Sequence, residues 1–286
     1  HIRFVYSGTK ELFLDETGNL HLVGQSGELV EEAPYSYQLV GGFEKEIGSS
    51  YTIDTDMGVS FQLEAYDPRY ELVIDPIYYT ELLSSTYIGT SKNDTLDGVV
   101  MDSEGYLYTL GKSDSPEFPT TSGAYDRTHG GEWDVVLVKW EPDLSDIVYS
   151  TYIGGSEADH PVDLQLDGQD RVYLMVETFS EDYPTTSEAY DRVYSYDDLA
   201  LTRFNQAGTA LEYSTFVGGG GFEHGGQLVL DGNNNAYFTG STSSQGSDPY
   251  PTTLGAFDNT YNGGNNDGFA TILNSQGSDI IYSTYI

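Results

Sequence analysis

The sequence predicts an all-β protein: an N-terminal β-sandwich-like domain followed by three four-stranded propeller-type blades. Two recurring markers carry that prediction. The stretch Tyr149-Ser150-Thr151-Tyr152-Ile153-Gly154-Gly155 returns as Ser85-Thr86-Tyr87-Ile88-Gly89, as Tyr213-Ser214-Thr215-Phe216-Val217-Gly218-Gly219 and as Tyr282-Ser283-Thr284-Tyr285-Ile286, with the threonines 65, 64 and 69 residues apart. Pro119-Thr120-Thr121 returns as Pro184-Thr185-Thr186 and Pro251-Thr252-Thr253, each followed by a small residue, an aromatic and an aspartate (Ala124-Tyr125-Asp126, Ala189-Tyr190-Asp191, Ala256-Phe257-Asp258). Self-similarity at a fixed period marks a repeat protein, in which each unit buries its apolar face only against its neighbours. Composition agrees, because 25 tyrosines and 33 glycines suit strands joined by tight turns.

Residues 1–78 lack the markers and alternate as strands do. Leu12 and Leu14, then Leu20 and Leu22, flank Asp15-Glu16-Thr17-Gly18-Asn19, a hairpin turn with a glycine free to take positive φ. Val59, Phe61 and Leu63 alternate with Ser60, Gln62 and Glu64, and Tyr51 and Ile53 supply a partner strand. Pro34, Pro68 and Pro76 punctuate the segment outside its strands, in keeping with a small antiparallel sandwich. The run Leu72-Val73-Ile74-Asp75-Pro76 leads to a boundary near residue 78.

Residues 79–286 hold three repeats, at about 89–153, 154–218 and 219–286. In the second, Val162–Leu166 and Arg171–Val176 flank Asp167-Gly168-Gln169-Asp170 and form a hairpin. Asp102-Ser103-Glu104-Gly105 and Asp231-Gly232-Asn233-Asn234 are the equivalent turns. A long loop with the Pro-Thr-Thr element follows. The third strand begins at Asp134, Asp198 or Asp267, and the Tyr-Ser-Thr-aromatic marker is the fourth. Four antiparallel strands per repeat is the anatomy of a propeller blade.

These markers resemble the SBBP-type β-propeller repeat of bacteria and archaea. Residues from about Ile2 to Pro76, through Ala33-Pro34, Tyr37-Gln38 and Ala65-Tyr66-Asp67, resemble the uncharacterised β-rich domain that often precedes such repeats. The resemblance implies a large secreted or cell-surface protein with a binding or structural role, and it brings no catalytic residues. The chain departs from the pattern in its longer loops, in Glu177 where the other copies have Gly111 and Gly240, and in having three blades. Closed propellers have about four to eight. Three blades call for a cap from the N-terminal domain, for further chain, or for subunits that complete one another.

The formal charge is −35, from 46 acidic residues against 11 basic, which disfavours nucleic acid and anionic membrane as partners. Cysteine is absent, so disulfides, thiolate metal sites and c-type haem attachment are excluded. Neither a membrane-spanning apolar run nor a signal peptide is visible. Opening at His1 without a methionine reads as a processed or trimmed product.

Calcium is the candidate cofactor. Asp231, Asn233 and Asn235 place oxygens at alternate positions, as calcium loops do, although an Asx-rich turn is the simpler reading. Asn93, Asp94 and Asp97, with Glu157 and Asp159 one repeat later, form a second acidic cluster whose simpler reading is solvated loop acids. His160 and His224 lack further nitrogen ligands, which leaves zinc without support. No Gly-x-Ser-x-Gly elbow or phosphate-binding glycine loop is present, so neither an enzyme nor a nucleotide site is expected. Tyr183, Tyr190, Tyr194, Tyr196, Tyr250 and Tyr261 read as exposed loop aromatics that could stack on sugars, although Tyr190, like Tyr125 and Phe257, reads better as blade packing. Asn93-Asp94-Thr95 is a glycosylation sequon.

The functional expectation is a secreted, non-enzymatic building unit of an extracellular filament or surface structure, self-assembling by strand-edge pairing. The assembly residues are Ile2, Phe4 and Tyr6 at one end and Tyr282, Thr284, Tyr285 and Ile286 at the other. The alternative is a glycan- or protein-binding module within a larger adhesin-like surface protein.

Overall fold

The computed structural model describes residues 3–24, 27–75, 78–79 and 84–286. Among them the chain is all β, without helices, and is built from small antiparallel sheets. It divides into two compact units, His1–Ser85 and Thr86–Ile286.

The first unit holds β1 (Arg3–Val5), β2 (Glu11–Leu14), β3 (Leu20–Val23), β4 (Glu28–Glu31), β5 (Tyr35–Val40), β6 (Phe43–Glu46), β7 (Ser49–Ile53), β8 (Gly58–Leu63), β9 (Leu72–Asp75) and β10 (Tyr78–Tyr79). They form three sheets, ordered β1-β8-β7, β10-β4-β3-β2 and β6-β5-β9. The expected alternation over 59–64 is β8, which sets Phe61 opposite Tyr51 and Val59 opposite Ile53. That face packs with Leu20, Leu22 and Phe4 into a small core. The β2–β3 turn is held by Asp15, whose Oδ1 accepts the N–H groups of Thr17 (2.8 Å) and Asn19 (2.9 Å). Pro34 and Pro68 lie between strands, and Pro76 is outside the described residues.

The second unit is three four-stranded sheets of one design. The first is β11 (Asp94–Met101), β12 (Leu107–Ser113), β13 (Asp134–Trp140) and β14 (Ile147–Ile153). The second is β15 (Asp159–Leu166), β16 (Val172–Thr178), β17 (Asp198–Phe204) and β18 (Leu211–Val217). The third is β19 (Glu223–Leu230), β20 (Ala236–Thr242), β21 (Asp267–Leu273) and β22 (Ile280–Tyr285). Strands follow chain order in every sheet. The marker is thus the fourth strand in each blade, whereas its earliest copy, residues 85–89, forms no strand and leaves Tyr87 fully exposed. Each first strand carries a bulge, and Pro161 sits at the one in β15, where a missing N–H is tolerated.

The two markers are halves of one clamp. The second threonine of the Pro-Thr-Thr element donates its N–H to the serine carbonyl of the fourth strand and accepts that serine's N–H on its hydroxyl. In the first blade these are Thr121 N to Ser150 O (3.1 Å) and Ser150 N to Thr121 Oγ1 (3.0 Å). The marker threonine reciprocates, since Asp126 N donates to Thr151 Oγ1 (2.9 Å) and Thr151 Oγ1 donates to Asp126 O (3.0 Å). Thr186 and Thr215 repeat these bonds in the second blade, and Thr253 and Thr284 in the third. The outer edge of every blade is therefore occupied by its own loop.

Blades join face to face. Tyr108, Leu110 and Leu137 of the first blade pack against Leu164, Leu174 and Phe204 of the second. Tyr173, Met175 and Leu201 of the second pack against Leu228, Phe238 and Phe269 of the third. Register places a triad across each sheet: Tyr108-Lys139-Tyr149, then Tyr173-Arg203-Tyr213. Arg203 lies 5.6 Å and 5.0 Å from the centroids of its two rings and donates to Ser275 O of the next blade at 2.6 Å.

The next blade's β-turn lands on the triad's last tyrosine. Gly208, at φ +66°, accepts the Tyr125 N–H (3.1 Å), and a Cβ there would stand 2.6 Å from the Tyr149 ring. Gly277, at φ +69°, repeats this with the Tyr190 N–H and the Tyr213 ring. The first blade has Leu144 at the equivalent place, at φ 59°, where it packs with Ile88, Trp140 and Ile147 instead of receiving a preceding blade.

Gly208→Ala and Gly277→Ala should each destabilise the blades by about 2–4 kcal/mol through overpacking and left-handed strain. Gly168→Ala, where a Cβ meets nothing within 4 Å, should change stability by less than about 0.5 kcal/mol. Urea midpoints at unchanged m-value are the measurement.

Candidate functional site

The face that seats the next blade in the first two repeats is covered by none of the described residues in the third. Its triad is Tyr237-Ile272-Tyr282, with isoleucine where the others carry lysine or arginine. Beside it, Thr239 replaces Leu110 and Met175, and Ala270 replaces Leu137 and Leu201. The earlier counterparts are buried, with Tyr108 at 0 % and Tyr173 at 1 % exposure, while Tyr237 stands at 37 %. A shallow depression of about 240 Å³ lies among Val229, Tyr237, Ala270, Ile272 and Tyr282. Among the described residues no turn of a further blade accepts the Phe257 N–H, which bonds to Tyr282 Oη at 2.8 Å, and the Phe257 ring is 86 % exposed.

Of the expected assembly residues, Tyr282 lies on this face, while Thr284 and Tyr285 are buried in β22. Thr284 serves the clamp, Tyr285 packs in the core shared with the second blade, and exposed Ile286 donates its N–H to Gly268 O at 2.9 Å. At the other end, Phe4 packs in the first unit's core, Tyr6 donates its hydroxyl to Glu31 at 2.5 Å, and Ile2 is outside the described residues.

The oxygens expected to bind calcium are engaged in local turns. Asp231 Oδ1 accepts the N–H groups of Asn233 (2.8 Å) and Asn235 (2.9 Å), the same bonds that Asp15, Asp102 and Asp167 make in their hairpins. Asp94 accepts from Thr90 and Ser113, Asp97 accepts from Thr95, and Asn93 bonds to Asp114. Asp94 and Asp97 thus serve separate local contacts. Among the described residues no three His, Asp or Glu side chains gather as a metal-binding group.

Two of the aromatics expected to be exposed are core residues. Tyr183 and Tyr250 are 2 % and 1 % exposed, because each loop folds its tyrosine under the blade, with its hydroxyl on Thr202 or Thr271. Tyr190, Tyr194 and Tyr261 pack partly against the cores. Tyr196 is exposed, edge-on to Phe222 at 5.0 Å, and Phe222 stacks on His224. Glu177, the departure from glycine, accepts the Gly225 N–H at 2.9 Å and so ties the second blade to the third.

A set of acids lies at the blade junctions, and it includes Asp159, expected above as a solvated loop acid but fully buried because it opens a strand packed between two blades. Asp134, which begins β13, and Asp159, which begins β15, are 1 % and 0 % exposed; Asp198 and Glu223 repeat the pair one junction later, at 1 % and 0 %. Burial pushes all four upward, Asp159, Asp198 and Glu223 to about 7. Asp197, beside Glu177 and His224, is raised to about 7 by the same cause. The signal was present: an acid opens both the first and the third strand of every repeat.

Residues 1–77 match a domain of unknown function (DUF7948). No curated protein matches the chain in sequence. Among solved structures, the chain is similar over 96 % of its length to an ACO/RPE65 chimera, of which it spans 69 %, at 9 % identity and a TM-score of 0.27. It is also similar to the extracellular domain of a putative hybrid two-component system from B. thetaiotaomicron, spanning 48 % of that chain at 9 % identity and a TM-score of 0.18.

The raised carboxyls set the pH response of the fold. A carboxyl whose folded pKa lies above its unfolded value binds more protons in the native state between the two, so stability falls as pH rises from about 4 to 7. His129 beside Asp134 and His224 beside Asp197 oppose this by favouring the charged acid when protonated. The urea midpoint should be higher at pH 5 than at pH 8, by at least about 1 kcal/mol of unfolding free energy, and Asp159→Asn should reduce the difference.

Proposed function

We propose that the chain is a non-enzymatic structural unit of an extracellular or cell-surface assembly, and that its blades are SBBP-type repeats. The single observation that carries this reading is the uncharged face of the third blade, where Ile272, Thr239 and Ala270 stand in place of the cation and the larger apolar residues of the first two. Its equivalents in the first two blades are interfaces, and its own side chains are uncharged in a chain of net charge −35.

The occupant we assign is the same face of a second copy. Two strongly acidic chains approach each other at least cost where neither presents a charge. Continuation from third blade to first, in the geometry used within the chain, is opposed by Leu144, whose side chain would meet Tyr282 where Gly208 and Gly277 leave room for Tyr149 and Tyr213. Outer strand edges are closed by the clamps, so faces rather than edges carry the contact. Extending such a pair into a filament requires a second contact, for which β1, at the margin of its sheet, is suited.

A glycan-binding role has one supporting observation, the exposed Tyr196-Phe222-His224 aromatic set, which offers flat faces of the kind sugars stack on.

In sedimentation velocity the intact chain should populate a dimer. Ile272→Glu should weaken that dimer at least about tenfold, about 1.4 kcal/mol, by placing a charge in the contact. Val193→Glu, on an exposed loop, should leave it unchanged. A wild-type chain that stays monomeric at every concentration refutes the reading.

A further inference from the structure

The chain passes from one blade to the next between two buried carboxylates, and a glycine stands where they converge. A Cβ on Gly154 would be 2.7 Å from Asp134 Oδ1 and 2.8 Å from Asp159 Oδ2. At the second junction a Cβ on Gly218 would run into Asp198 Oδ1 and stand 2.7 Å from Glu223 Oε2. Each pair thus joins the third strand of one blade to the first strand of the next, around a spot that only glycine leaves to the oxygens.

The remaining bonds hold the carboxylates in place. Asp134 Oδ2 accepts the Gly130 N–H at 2.6 Å, and Asp159 Oδ2 accepts from Gly155 N at 2.7 Å and Ser180 Oγ at 3.1 Å. Asp198 Oδ2 accepts from Ser195 N at 3.0 Å, while Glu223 accepts from Gly219 N, Thr242 Oγ1 and Ser244 Oγ. The two oxygens nearest the convergence points, Asp134 Oδ1 and Asp198 Oδ1, are fully buried and accept no hydrogen bond. Among the described residues none of the four acids forms an ion pair with lysine or arginine. Buried carboxylates in such a position call for a counter-charge, and each junction holds an orphaned oxygen beside the glycine that the second carboxylate also approaches.

We infer that both blade junctions are calcium sites, the first held by Asp134 and Asp159 and the second by Asp198 and Glu223. The paired side chains offer only oxygen, which selects a hard cation. Two carboxylates are fewer than a dedicated cage uses, so main-chain carbonyls, hydroxyls such as Ser180 and Ser244, and water complete the shell. Calcium tolerates that mixture and irregularity, whereas magnesium demands a near-ideal octahedron. The ion neutralises the pair and clips adjacent blades together.

Among the described residues two pairs are complete, Asp134 with Asp159 and Asp198 with Glu223, whereas Asp94 and Asp267 have no partner acid of this kind. Two complete pairs give two ions for residues 94–286.

The test is equilibrium dialysis and thermal unfolding of the intact, chelator-stripped chain at pH 7.5 in 0.5 M NaCl, with calcium chloride as the probe. Two ions should bind, and the midpoint should rise with calcium concentration as linkage requires. Asp134→Asn and Asp198→Asn should each bind one ion and the double variant none. All three variants should stay folded in chelator, since each removes an uncompensated buried charge. No calcium-dependent shift in the wild type, or two ions retained by the double variant, overturns the proposal; the first outcome identifies the pairs as carboxyls sharing a proton, the second places the ions on surface acids.

Discussion

Each blade remains a separate sheet because its outer edge is closed from within its own repeat. An unpaired edge strand recruits whatever strand comes near. Here the Pro-Thr-Thr loop fills that role, and its threonine and the marker threonine exchange bonds in both directions. With about 1 kcal/mol net for each such bond, the clamp stabilises the edge by a few kcal/mol per blade. It also bears on how blades meet: with the outer edges closed, the contacts between successive blades run through their faces.

The faces then have to reconcile burial with an extreme charge. Lysine and arginine are scarce, and Lys139 and Arg203 are placed over tyrosine rings at blade interfaces, where Arg203 also reaches into the next blade. The third blade replaces that cation with Ile272, and its face is uncharged and partly exposed. Acid is meanwhile buried in pairs at the junctions, and among the described residues no lysine or arginine is paired with it. Both features follow from the same shortage of positive charge.

Much of this was legible in the sequence. The markers gave the period, the aspartate-led third strand and the hairpin turns, and the strands lie where the alternation and turn residues put them. The clamp was not legible, because nothing in a threonine's identity says that it bonds a serine 29 residues away. Tyr183 and Tyr250 misled for a related reason: a loop address does not reveal that the chain folds the ring beneath the sheet. The run Asp231-Asn233-Asn235 looked like a metal loop because turns and metal sites draw on the same oxygen-bearing residues. Its main-chain bonds are those of the turns at Asp15, Asp102 and Asp167. The junction acids were visible as a recurring pair of columns, but only the fold brings residues 134 and 159, or 198 and 223, to one glycine.

Leu144 gives the array a beginning. A duplication that copies the second repeat in place preserves the glycine turn, the tyrosine it lands on and the junction acids, so the inserted unit fits at both ends. Copying the first repeat inward sets leucine against an aromatic ring and fails. Growth of such a protein over evolutionary time is therefore channelled to its interior and its far end, and the opening repeat is left to diverge by itself.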